Sequence, residues 1–198
     1  MNLLPVKKAI LSVTDKSGLA DFGAFLVDNG CELVSTGGTK KMLADAGLPV
    51  TSVSDITDFP EILGGRVKTL HPHIHGGILA DKDDPSHMET LREFGIEPFD
   101  LICVNLYNFA DAVAKGLDLK AAVEQIDIGG PTMLRATAKN FHSICVVPDP
   151  KYYPVVRKEI EEKGGISLEF RKEMAALTFK LVSEYDAMIT EYLSNNDA

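Results

Sequence analysis

Short apolar runs alternate, along the first half of the chain, with stretches in which apolar residues return every three or four positions. Val6 to Val13, with A-I-L-S-V at its centre, is continuous enough to predict a buried strand. Leu19, Phe22 and Leu26 follow at helical spacing, and Asn29-Gly30 supplies a left-handed stop. Cys31 to Ser35 predicts a second strand. T-G-G-T then opens a helix that carries Met42 and Leu43 and closes at Gly47, and Val50 to Val53 predicts a third strand. Strand, helix and strand in this order predict an α/β fold, a mainly parallel sheet with helices on both faces. Ile56 to Asp84, rich in Gly, Pro and His, breaks the pattern and reads as irregular loop of the kind that holds ligands outside the carboxyl ends of strands. Pro85 to Gly95 predicts a surface helix, and Asp100 to Tyr107 a central strand. Asp118 is placed to cap a helix through Ile126. Pro131 suits the first turn of another helix, which runs to about Asn140, and Ser143 to Val147 predicts the last strand. A helical extension covers about 150–194. In it Met174, Leu177, Leu181, Tyr185, Met188 and Tyr192 make one apolar stripe, suited to packing on the body of the domain or on a second subunit.

The 198 residues fit one domain, and a chain of this length buries roughly 70% of its unfolded surface without needing a staple. A formal net charge of −9 argues against a nucleic-acid-binding domain, but a local cluster of Lys and Arg can still hold an anionic small ligand. No apolar stretch approaches the ~20 residues that span a bilayer, so no membrane partner is expected. The amino terminus lacks the charged-then-apolar order of a signal peptide. Cys31, Cys103 and Cys145 each sit in or beside an apolar run. Odd in number and without metal spacing, they are expected to be reduced and buried in a cytoplasmic protein.

Four segments place polar groups at strand ends. Thr14, Asp15 and Lys16 follow the first strand, where Thr and Asp also commonly cap a helix. S-T-G-G-T-K, Ser35 to Lys40, exposes backbone N–H groups at a helix start, a geometry that suits phosphate, although glycines also serve plain turns and Walker spacing is absent. Arg66, Lys68 and Thr69 fall within four residues between Gly64-Gly65 and Pro72. His71, His73 and His75 alternate like chelating residues. Pro72 interrupts them and no acidic or thiol partner lies nearby, so no metal is expected. Asp127 precedes a glycine pair and a helix start, where it fits either an N-cap or a proton acceptor beside an oxyanion hole formed by the Ile128 and Gly129 amides; Lys139 lies at the other end of that helix.

Taken in order, S-V-T-D-K, S-T-G-G-T, G-G-R-V-K-T-L-H-P-H-I-H-G-G-I-L, V-N-L-Y and E-Q-I-D-I-G-G-P-T-M-L-R-A-T-A-K-N resemble the amino-terminal domain of the bifunctional AICAR transformylase/IMP cyclohydrolase family, over nearly the whole chain. The resemblance implies a methylglyoxal-synthase-like three-layer α/β/α sandwich and an IMP cyclohydrolase domain over 1–198. The implied reaction is dehydrative closure of 5-formamidoimidazole-4-carboxamide ribonucleotide (FAICAR) to IMP. It further implies Lys68, Tyr107, Asp127 and Lys139 as catalytic residues, with Asp127 as base and Lys139 as proton donor. Thr14, Asp15, Lys16, Thr36, Gly37, Gly38, Thr39, Arg66, Thr69, Asn105, Ile128 and Gly129 are implied as substrate-binding residues, with no cofactor and a homodimeric assembly. Two features depart from the family. Asn108 stands where the family has Pro after the Tyr, and the several hundred residues of the transformylase half are missing, so the domain is expected to stand alone or to be a portion of a longer enzyme. Two other activities suit the same fold: methylglyoxal synthase, which also grips a phosphate, and a nucleotide-binding regulatory module without turnover.

Overall fold

A computed structural model describes residues 1–106, 109 and 116–195. Five parallel strands form the central sheet in the order β4-β3-β2-β5-β6: β2 (Lys8–Ser12), β3 (Glu32–Ser35), β4 (Val50–Ser52), β5 (Leu101–Val104) and β6 (Cys145–Val147). A separate antiparallel pair joins β1 (Leu3–Leu4) to β7 (Ile166–Ser167). All of Leu101–Val104, an inner strand, and of Cys145–Val147, an edge strand, is buried, as expected of strands covered on both faces. On one face α1 (Leu19–Asp28) packs against α2 (Gly37–Asp45) and α8 (Tyr153–Lys163), where Phe22 stacks on Tyr153 with ring centroids 4.2 Å apart. On the other face α7 (Gly129–Lys139) lies between α4 (Pro72–Leu79) and α9 (Leu168–Asn195). The three layers expected from the sequence are therefore present.

Strand order reverses between β2 and β5. The chain steps outward from β2 to β3 and β4, then returns to the other side of β2 to lay down β5 and β6. Loops leaving β2 and β5 must diverge there, opening a crevice beyond their carboxyl ends.

The stretch read as irregular, Ile56 to Asp84, contains a helix. Pro72 does not interrupt it but begins it, since proline at the first helical position loses only an N–H that has no partner anyway; His71 Nδ1 caps the His73 N–H at 3.2 Å. Gly76-Gly77, which looks like loop composition, marks a close approach. A Cβ on Gly77 would stand 2.6 Å from the Glu97 carbonyl oxygen and 2.9 Å from the Phe99 ring. Val53 belongs to α3 (Val53–Thr57) rather than to β4, and the helix capped by Asp118 is the short α6, Leu119–Val123; α5 is Pro85–Glu93.

The final helix departs from its predicted stripe. Met174 and Tyr185 are buried as expected, but the buried face runs through Phe170, Arg171, Ala175, Thr178 and Val182, while Leu177, Leu181, Met188 and Tyr192 are half-buried. Arg171 has no exposed surface. Its guanidinium donates to the carbonyl oxygens of Phe141 (2.9 Å), Ile166 (2.5 Å), Met1 (2.7 Å) and His142 (3.0 Å). One side chain thus ties the amino terminus, the β7 strand and the turn after α7 to the final helix. The three cysteines are free and buried, and burial pushes each thiol up to about 12.

Candidate active site

The crevice at the switch point is stitched together by Asn105. Its Oδ1 accepts from the N–H groups of Thr14 (2.7 Å) and Asp15 (3.0 Å), and its Nδ2 donates to the Asp15 carbonyl oxygen at 3.0 Å. The loop after β2 is thereby fixed to the end of β5. Thr39 holds the same loop from the opposite side: its hydroxyl donates to the Val13 carbonyl oxygen (3.0 Å) and accepts the Val13 N–H (3.1 Å). Asp15 accepts from both the N–H and the hydroxyl of Ser17, which hold its carboxyl below the usual carboxylate range. The side chains of Asn105, Thr39 and Asp15 therefore shape the loop, and the chemistry they leave free is that of the exposed backbone and of Lys16.

Thr36 stands in extended conformation at the start of α2, followed by the exposed Gly37 and Gly38. Orphan amides at a helix N-terminus attract anions, and two cations frame these. A Cβ on Gly37 would lie 3.8 Å from Lys68 Nζ, and one on Gly38 would lie 4.0 Å from Lys16 Cε. Lys68 comes from the loop between α3 and α4, which turns sharply at Leu63–Gly65 with Leu63 itself at φ +55°. There Lys68 pairs with Glu61 at 2.9 Å, and Arg66 pairs with Glu124.

Asp127 completes the group. Its Oδ1 accepts the Gly130 N–H at 2.9 Å, so it does cap α7, but it is more than a cap. Burial pushes its carboxyl above the usual carboxylate range, against the lowering effect of the Gly130 and Gly129 amides and of the nearby Lys68 charge. The glycine pair is dictated by this closeness: a Cβ on Gly130 would fall 2.3 Å from Asp127 Oδ2, and one on Gly129 would fall 2.9 Å from the hydroxyl of the buried Thr69. Ile128, largely exposed, lies between Asp127 and Gly129 in the chain. A partly desolvated carboxylate, a lysine that borders both it and the helix amides, and a second lysine can bind a phosphate at one end of a ligand and move a proton at the other.

Of the residues expected at this site, Lys16, Thr36, Gly37, Gly38, Lys68, Thr69, Asp127, Ile128 and Gly129 converge, with Arg66 at the rim and Thr14, Asp15, Thr39 and Asn105 forming the wall. Tyr107 lies outside the described residues. Lys139 is not brought to Asp127. Ten residues separate it from Gly129 along one helix, about 15 Å at 1.5 Å per residue. The neighbouring Asn140 is bound to the carbonyl oxygens of Ile78 and Ala80, at the carboxyl end of α4. Sequence reasoning also passed over Tyr185 as a site residue; its hydroxyl accepts the Asp127 N–H at 2.8 Å, and only its place in an apolar stripe marked it. Among the described residues no cluster of His, Cys, Asp and Glu is arranged to hold a metal, and no helix is long and apolar enough to cross a membrane.

Comparison with known proteins extends this picture over the whole chain. The MGS-like domain family matches residues 18–132, and the AICARFT/IMPCHase bienzyme family matches residues 137–198. The bifunctional purine biosynthesis protein PurH of Lactobacillus acidophilus is 52% identical over 190 residues, covering 96% of this chain and 37% of that protein. PurH of Anoxybacillus flavithermus is 50% identical over 190 residues, with the same coverage. The chain thus spans little more than a third of the length of these relatives. Among solved structures, the crystal structure of ForH superposes with a TM-score of 0.81 at 36% identity, covering 94% of this chain and 97% of that one.

Proposed function

Because the chain belongs to the MGS-like domain family, and its relatives are purine biosynthesis proteins, we propose that it is a cytoplasmic IMP cyclohydrolase, with residues 1–198 forming the cyclohydrolase domain. The observation that carries this reading is the half-buried Asp127 carboxylate beside Lys68, next to the helix amides of Gly37 and Gly38. The 5′-phosphate of the formamido nucleotide is held by those amides with Lys16, Lys68, Thr36 and Arg66. Anchoring this unreactive end fixes the carboxamide nitrogen against the formyl carbon, and effective molarity then supplies much of the rate. As the nitrogen attacks, Asp127 takes its proton, and the Ile128 and Gly129 amides face the oxygen where charge develops. Asp127 returns that proton to the oxyanion, giving the carbinolamine; its hydroxyl then takes a second proton from Lys68 and leaves as water, while Asp127 accepts the former formamido N–H proton as the ring C=N bond forms and passes it back to Lys68. No metal or redox cofactor enters the scheme.

The test is the ultraviolet spectrum of FAICAR mixed with the protein, in which a shift to the hypoxanthine chromophore is expected. An unchanged spectrum together with tight IMP binding would make the chain a nucleotide-binding module, and release of methylglyoxal from dihydroxyacetone phosphate would make it a synthase. Arg66→Ala is expected to weaken IMP binding by about 2–3 kcal/mol, the worth of a charged hydrogen bond; equal affinity by calorimetry removes Arg66 from the phosphate site. Lys139→Ala is expected to keep turnover within about threefold, in line with its distance from Asp127. Loss of more than nine-tenths of kcat would bring Lys139 into the reaction, at the site of another subunit. A homodimer belongs to the same reading, and sedimentation equilibrium at micromolar concentration tests it: a single species of monomer mass rules it out.

A further inference from the structure

The Asp127 N–H is a part-buried donor outside any helix ladder, and its acceptor comes from 58 residues further along the chain. The Tyr185 hydroxyl lies 2.8 Å away, on a side chain only 5% exposed. Tyr185 is delivered there because α9 packs along α7, and Asp127 lies two residues before the start of α7. The turn is thus held at two points, by Gly130 N–H on the carboxylate (2.9 Å) and by the tyrosine on the backbone. The same ring forms part of a cleft of about 350 Å³ that opens beside the crevice, lined also by Asn105, Leu106, Leu181 and Met188.

We propose that Tyr185 is a positioning residue for Asp127, its hydroxyl on the final helix fixing the turn that aims the carboxylate into the crevice. The proposal rests on the cyclohydrolase reading for its kinetic consequence, though not for its geometry. A part-buried N–H deprived of its protein acceptor draws water to the turn to replace it. Water at the turn also hydrates the Asp127 carboxylate and undoes the burial that raises it. The charged and titratable groups around the pair are Lys68, which borders Asp127, and Asp186, next to Tyr185 on α9; Asp15, Asp149 and Glu184 line the adjoining cleft. None of these is altered by removal of the hydroxyl.

The test is Tyr185→Phe, which keeps the ring and removes the acceptor. Two readouts are taken together: the NMR titration of the Asp127 carboxyl carbon, and the pH profile of kcat on FAICAR. The titration midpoint is expected to fall toward the ordinary carboxylate range, and the acid limb of kcat to fall with it. At neutral pH kcat is expected to drop about tenfold while KM stays within twofold, because the phosphate anchor is untouched. A midpoint and acid limb equal to those of the parent protein would overturn the proposal. So would a loss of kcat accompanied by an equal rise in KM and an unmoved midpoint, which marks a general loosening of the fold. If the parent protein itself leaves FAICAR unchanged, the cyclohydrolase reading fails, and the titration alone still decides whether Tyr185 governs Asp127.

Discussion

Asp127→Asn is expected to lower kcat on FAICAR by about 10²–10⁴, the usual worth of a positioned acid–base group, while IMP affinity stays within about tenfold. The amide is nearly isosteric, and its oxygen can still accept the Gly130 N–H, so the turn keeps its shape. What disappears is the ability to take a proton. The same variant is expected to be at least as stable as its parent at neutral pH. The sign follows from the direction of the shift. Burial raises the Asp127 carboxyl above its ordinary value, so the folded protein favours the neutral form. Its contribution to stability is full below the ordinary carboxyl range and is lost as pH rises through the raised value. Above the raised value the group is charged and opposes folding, and the neutral amide lifts that opposition. A melting temperature at or above that of the parent, with turnover nearly gone, is the outcome to look for. A variant that unfolds earlier and still turns over would mean that the carboxylate serves only as a cap. In turnover itself, the rate is expected to fall as the medium is acidified through the raised pKa, since only the carboxylate accepts a proton.

Arg171→Ala is expected to be the most destabilising substitution of any charged residue, at about 4 kcal/mol or more. Removal of the guanidinium leaves the carbonyl oxygens of Met1, Phe141, His142 and Ile166 without their shared donor, in a place where the side chain has no exposed surface. Each buried acceptor left unsatisfied costs about 1–3 kcal/mol, and a long side chain leaves a cavity besides. For a domain of this size each 1 kcal/mol moves Tm by about 2–4 °C, so calorimetry should register a drop of roughly 10 °C. Arg171→Lys should recover little, because a single ammonium has three donors and cannot reproduce the planar fork. A fall of less than 3 °C in the alanine variant would show that the four carbonyls find other donors.

The strands were legible because burial on both faces writes itself as continuous apolar runs, and Leu101–Val104 is the plainest case. The glycine pairs were ambiguous, because composition cannot tell a turn from a close approach. Gly37-Gly38 does open a helix toward the crevice, whereas Gly76-Gly77 lies inside a helix and makes room for the Glu97 carbonyl. Arg171 could not be read from sequence, since arginine on a helix is normally solvated and only the fold gathers four carbonyls around it. Asp127 was read both as cap and as base, and its geometry supports the two together: the bond that caps α7 also orients the carboxyl. Lys139 belongs to the same continuous segment as Asp127, yet within one chain the rise of the helix sets it about 15 Å from Gly129.

The stitch made by Asn105 across the switch point bears on how the chain folds. Its partners Thr14 and Asp15 lie 91 and 90 positions earlier, and the central pairing of β2 with β5 spans a similar distance. The neighbouring pair, β2 with β3, closes over only about 24 residues, as the Ser35 hydroxyl on the Leu11 carbonyl oxygen illustrates. Closing the longer loop costs more chain entropy, though only logarithmically more, and non-local pairings of this kind slow folding. On a ribosome the first half of the sheet can pair while the residues that form the other wall of the crevice have yet to be synthesised. Ligand binding therefore reports on the joined sheet rather than on its first half, and a nucleotide present during refolding can act only on a chain that has already brought β5 to β2.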